Sequence, residues 1–95
     1  MSHDPRSIAP NPRCLLTELG DGTGVLLHLD TKFYYTLNRT GLTLWKALAA
    51  EPRKRAADLT THLVESFQVD ATTAARDVDA VLGELAGEGL VTYVR

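Results

Sequence analysis

Ninety-five residues, 10.4 kDa, suffice for one domain with a modest core and leave no room for a separate catalytic domain around a deep cleft. Hydrophobic residues at 44% and charged residues at 23% are the usage of an ordinary globular domain, which excludes disorder over most of the chain. Ten Lys and Arg against twelve Asp and Glu leave a net charge of -2, which excludes a global field able to draw in a polyanion such as DNA.

Residues 1–12 contain His3, Pro5, Pro10 and Pro12 and no periodic apolar pattern, so they are expected to form a flexible arm. Order is expected from Arg13. Cys14 to Leu19 reads as a first strand, and the glycines of Gly20-Asp21-Gly22-Thr23-Gly24 permit the positive φ of a turn. Val25 to Leu29 and Phe33 to Leu37 are two further β-rich runs flanking the connection Asp30-Thr31-Lys32, which gives a three-stranded antiparallel sheet. Alternation puts Val25, Leu27 and Leu29 on one face, to meet Phe33, Tyr35 and Leu37 in the core. His28, Tyr34 and Thr36 then lie on a face open to water or a partner.

At Asn38 the period changes. Leu42, Leu44, Trp45, Leu48 and Ala49 recur at helical spacing behind Asn38 or Thr40 as N-cap, with Trp45 read as a core anchor. Pro52 and the basic triplet Arg53-Lys54-Arg55 end that helix, and Leu59, Leu63, Val64 and Phe67 mark a second. Asp70 caps a third, whose stripe is Ala74, Val78, Val81, Leu82 and Leu85, and Gly89 followed by Leu90-Val91 reads as a glycine stop with an apolar tail. The expected fold class is α+β: a small, winged helix-turn-helix-like domain over residues 13–95, with a three-stranded antiparallel sheet followed by three helices.

Chemistry finds little purchase in this pattern. His3, His28 and His62 are scattered over an arm, a strand and a helix, with no partner at ligand spacing, so no metal site, cofactor or catalytic residue is expected. Cys14 is the one cysteine, which excludes an internal disulfide and fits a reducing, cytoplasmic setting. A cross-strand Cys14–His28 pair is outweighed by the commoner reading of a small buried thiol. The glycines at 20–24 lack the Lys-Ser/Thr of a phosphate-binding loop and precede a strand. No apolar run approaches the roughly 18 residues that span a bilayer, so neither membrane insertion nor export is expected.

The run Leu27-His28-Leu29-Asp30-Thr31-Lys32-Phe33-Tyr34-Tyr35-Thr36-Leu37-Asn38-Arg39-Thr40-Gly41, with Trp45 four residues later, resembles the PqqD-like peptide chaperones, also called precursor peptide recognition elements. Asp77-Val78, Val81-Leu82, Leu85 and Gly89-Leu90-Val91 are similar to that family's closing helix and its exit. The likeness extends from about Leu15 to Val94. Its most diagnostic piece is the helix start Asn38-x-Thr40-Gly41 followed by Trp45. Two features depart from it: the hairpin Asp30-Thr31-Lys32 lacks the glycine often seen there, and the proline-rich arm has no counterpart.

The resemblance implies that the leader segment of a ribosomally made precursor peptide adds as a strand beside the third strand, facing the third helix. The captured peptide then goes to a modifying enzyme, such as a radical SAM protein, or to a leader peptidase. The chain itself is not expected to be an enzyme. A free sheet edge offers main-chain hydrogen bonds to any extended peptide, and it also permits a homodimer. The expected peptide-binding residues are Thr31, Lys32, Phe33, Tyr34, Tyr35 and Thr36 on the sheet, with Ala74, Asp77, Val78 and Val81 on the third helix. Lys32, Arg76 and Asp77 would set direction by charge. Against this stands the structural reading, in which Phe33, Tyr35, Leu37, Val78 and Leu85 fill the core of so small a domain. Winged-helix DNA binding is the rival function. Its recognition helix would carry Asp70, Asp77, Asp79, Glu84 and Glu88 against Arg76 alone, which repels phosphate.

Overall fold

The computed structural model describes residues 6–51 and 54–94. Along the chain it forms β1 Ser7–Pro10, β2 Cys14–Glu18, β3 Gly24–His28, β4 Tyr34–Leu37, α1 Arg39–Ala50, β5 Lys54–Arg55, α2 Ala56–Phe67, α3 Ala71–Gly87 and β6 Val91–Val94. β2, β3 and β4 make the expected antiparallel meander. A second sheet, in the order β5-β1-β6, joins the two ends of the chain. The α+β class holds, with this second sheet added to it.

Order therefore begins before Arg13. Ser7–Pro10 pairs with Val91–Val94 in register Ile8↔Tyr93, and Ile8 is fully buried. Ile8 is the one large aliphatic residue in a polar, proline-rich stretch, too little to read as a pattern, yet the closing strand needs a partner. Of the expected arm, residues 1–5 lie outside the described residues, as do Pro52 and Arg53 of the helix break.

The core forms where the three helices meet the two sheets. Leu44 and Leu48 of α1, Leu59 and Leu63 of α2, and Val78 and Leu82 of α3 are fully buried beside Ile8, Leu26 and Leu90. Each such side chain contributes about 1.5–3 kcal/mol by leaving water. Trp45 is buried on α1, as its register with Leu42 and Leu48 requires.

The helix ends are set by local chemistry. The Asn38 side chain accepts from the Gly41 amide at 2.8 Å and starts α1. Asp70 does the same for α3 through the Thr73 amide at 3.2 Å. Gly89, at φ +73°, ends α3: its amide donates to Ala86 and that of Leu90 donates to Leu85 at 2.8 Å, with Leu85 and Leu90 both buried beneath the turn.

The phase of β3 is opposite to that expected. Gly24, Leu26 and His28 face the core, while Val25 and Leu27 turn to the outer face. Gly24 fixes the phase, since a Cβ there would lie 3.1 Å from Leu16 Cδ1 and 3.2 Å from Leu42 Cδ1. His28 can be buried because its Nδ1 accepts from the amides of Asp30, at 3.2 Å, and Thr31. The run Val25-Leu26-Leu27 is apolar on both faces, so alternation could not choose between them. On β4, Tyr35 and Leu37 face inward and Tyr34 and Thr36 outward, as expected. Phe33 is 65% exposed and lies before β4 begins.

Candidate functional site

β4 is an edge strand, paired with β3 on one side only among the described residues. Its free amides follow from the ladder. The His28 amide donates to the Phe33 carbonyl at 3.0 Å, so that pair is hydrogen-bonded, and in an antiparallel ladder such pairs alternate with non-hydrogen-bonded ones. By the register Leu26↔Tyr35 and Gly24↔Leu37, Tyr35 and Leu37 bond inward to β3. Tyr34 and Thr36 therefore direct their N–H and C=O groups to the open side.

The turn before this edge is built without glycine. Lys32 takes the left-handed conformation, φ +66°, and its amide donates to His28 at 2.7 Å. The buried imidazole braces the turn from beneath, and Arg13 holds Asp30 from outside at 3.0 Å. This bracing accounts for a hairpin that departs from the glycine pattern.

The open side of β4 faces α3, which runs antiparallel to it. A hollow of about 420 Å³ is lined by Tyr35 and Thr36 together with Gly83, Glu84, Leu85, Gly87, Glu88 and Leu90. One turn further toward the start of α3, Asp77, Ala80 and Val81 line a second hollow of about 190 Å³ with Asn38 and Thr40. The two form a trough with a strand edge as one wall and a helix as the other. A third hollow lies between residues 18–22 and α1, and its Lys46 is paired with Glu18 at 3.1 Å.

Of the residues expected at the site, Tyr35, Thr36, Asp77 and Val81 come together in the trough. Thr31, Lys32 and Phe33 are exposed in the turn at its end. Tyr34 contributes main chain; its side chain is 71% exposed on the outer face, in a row with Leu27 and Leu15. Ala74 and Val78 are a correction. Both are fully buried, because they occupy the side of α3 that packs into the core with Leu82 and Leu85.

The sequence reading missed Ala80, Gly83, Glu84, Gly87 and Glu88. A signal for them exists: Gly83 and Gly87 stand inside a helix, where each costs about 1 kcal/mol relative to Ala. A Cβ at either would meet nothing within 4 Å, so the fold itself does not require glycine there. Small residues on this wall let another backbone approach.

Burial first, then the neighbouring Glu88, hold the Tyr35 phenol above the usual range. Cys14 stands opposite His28 across β2 and β3, but burial and then the charge of Asp30 push its thiol up, and the imidazole already serves the turn. The pair is thus a poor nucleophile and base. Among the described residues, no group of three or more His, Cys, Asp or Glu side chains is placed to hold a metal ion, and no helix is long and apolar enough to cross a membrane.

Comparisons with known proteins place this geometry. The structure of TbiB1 in complex with the TbiA(beta) leader peptide is similar, with TM-score 0.77 and 28% identity over 87% of this chain and 93% of that one. The fold is also that of lasso peptide synthetase B1 complexed with the leader peptide, with TM-score 0.74 and 24% identity over 90% and 98% of the two chains. Curated protein sequences give no match. The family of coenzyme PQQ synthesis protein D (PqqD) matches residues 23–91, from the start of β3 through the exit of α3, and the chain belongs to that family.

Proposed function

We propose that this chain captures the leader segment of a ribosomally made precursor peptide as a fourth strand on β4, in the trough against α3, and presents it to a second protein. The observation that carries this reading is the free edge at Tyr34 and Thr36 facing a helix whose wall is lowered by Gly83 and Gly87. Main-chain bonds to that edge supply affinity whatever the peptide sequence, and the side chains lining the trough supply choice. The similar TbiB1 structure holds a leader peptide, which supports the same use of the fold here.

The chain contributes binding, and the covalent chemistry belongs to its partner, a modifying enzyme such as a radical SAM protein or a leader peptidase. DNA binding is disfavoured by the exposed Asp77, Asp79, Glu84 and Glu88 of α3, opposed only by Arg76. The test is isothermal titration of the folded chain with synthetic leader segments of the precursor peptides encoded beside its gene. Micromolar or tighter binding to one leader is expected. Failure of a folded chain to bind any of them would reject leader capture.

A further inference from the structure

Three carboxylates line the trough, Asp77, Glu84 and Glu88, and no Lys or Arg lines it. Asp77, Glu84 and Glu88 have no ion pair among the described residues, so all three charges are available to a ligand. The placement of two of them works against the helix that carries them. Glu84 and Glu88 are four residues apart, neighbours of like charge on one face. They also lie at the C-terminal end of α3, where the helix dipole already presents negative charge, and no basic residue stands in the last turn. Among the described residues no cation offsets this charge, and it faces the free edge of β4.

We infer that the trough selects leader segments bearing two cationic side chains, Lys or Arg, two residues apart on the face turned to α3. This rests on the leader-capture reading and adds to it the chemistry of the peptide. The spacing follows from the elements. Four helical residues separate Glu84 and Glu88 by about 6 Å along the axis. Alternate residues of an extended strand stand about 6.6–6.8 Å apart on one face. A strand added to β4 therefore brings one cation to each carboxylate. Asp77, about 10 Å further along α3, extends the acidic wall beyond them. Tyr35 and Glu88 line the same hollow, which sets that carboxylate beside the strand edge. Gly83 and Gly87, beside the two carboxylates, leave room for long side chains to cross the helix surface.

The experiment is a double-mutant cycle by titration, using the leader segment that the wild-type chain binds. One arm is the E84Q/E88Q chain, the other the same peptide with its Lys and Arg residues replaced by Gln. Each change alone should weaken binding about fivefold, and the peptide change should cost little once the carboxylates are gone. Affinity for the native leader should also fall with added salt in the wild-type chain and much less in E84Q/E88Q. Circular dichroism should show E84Q/E88Q at least as stable as wild type, because the change relieves like-charge repulsion. Native affinity in E84Q/E88Q, fully additive losses, or a bound leader without Lys or Arg would overturn the inference while leaving leader capture standing. No binding by the wild-type chain would reject both, and is distinguished by that.

Discussion

Thr36→Pro removes a single amide hydrogen from the open side of β4. Thr36 stands opposite Val25 in a non-hydrogen-bonded pair, so its N–H takes no part in the ladder to β3. Proline is tolerated on an edge when the missing donor faces outward, and the fold should survive. An added strand loses one main-chain bond, worth about 1 kcal/mol net, or roughly fivefold in Kd, and meets the proline ring where that bond would form. Thr36→Val keeps the amide at an exposed position and should bind the leader within about twofold of wild type. Tyr35→Pro removes a donor to Leu26 from the sheet itself and should lower stability first. The assay is isothermal titration of each variant with the leader, beside thermal melts followed by circular dichroism. Wild-type affinity in a folded Thr36→Pro chain would refute strand addition at this edge.

Other expectations concern the scaffold. Ile8→Ala should cost about 2–4 kcal/mol in denaturant unfolding, since Ile8 is fully buried and joins the second sheet to the core. Gly83→Ala and Gly87→Ala should each raise stability by about 0.5–1 kcal/mol while weakening leader binding, because the space above them is open in the free chain. The carboxyl of Asp70 is held below its ordinary value near 3.8, first by the Thr73 hydroxyl and then by backbone amides. Its stabilisation of α3 is therefore present above about pH 4 and is lost as the pH falls through the lower folded-state value. Acid unfolding of Asp70→Asn should lack that component when compared with wild type.

The elements legible in the sequence were those with punctuation. Asn38, Asp70 and Gly89 mark helix ends by local hydrogen bonding, and the three helical stripes point to the core they fill. The meander was legible because two β-rich runs flank a short polar turn. β1 was not, because its sequence is polar and broken by prolines, and its reason for being a strand lies more than eighty residues away in β6. The phase of β3 was hidden for a different reason: Val25, Leu26 and Leu27 are equally apolar, and the deciding contact, Leu42 against Gly24, is tertiary.

At the candidate site, the β-rich run before Asn38 marks the strand wall, while the apolar stripe marks only one side of α3. That stripe is the part of α3 the core uses, so Ala74 and Val78 are buried and the trough belongs to its polar, glycine-bearing neighbour. An apolar stripe on a helix of so small a domain reports the core first. Gly83 and Gly87, beside Glu84 and Glu88, are positions on α3 that core packing does not explain.

The sheet leaves two free edges, β2 and β4. Amide hydrogen exchange, followed residue by residue with and without a saturating leader segment, distinguishes them most directly. Tyr34 and Thr36 should gain protection on binding while the amides of β2 are unchanged. Protection appearing along β2, with Tyr34 and Thr36 exchanging as in the free chain, would contradict capture on β4.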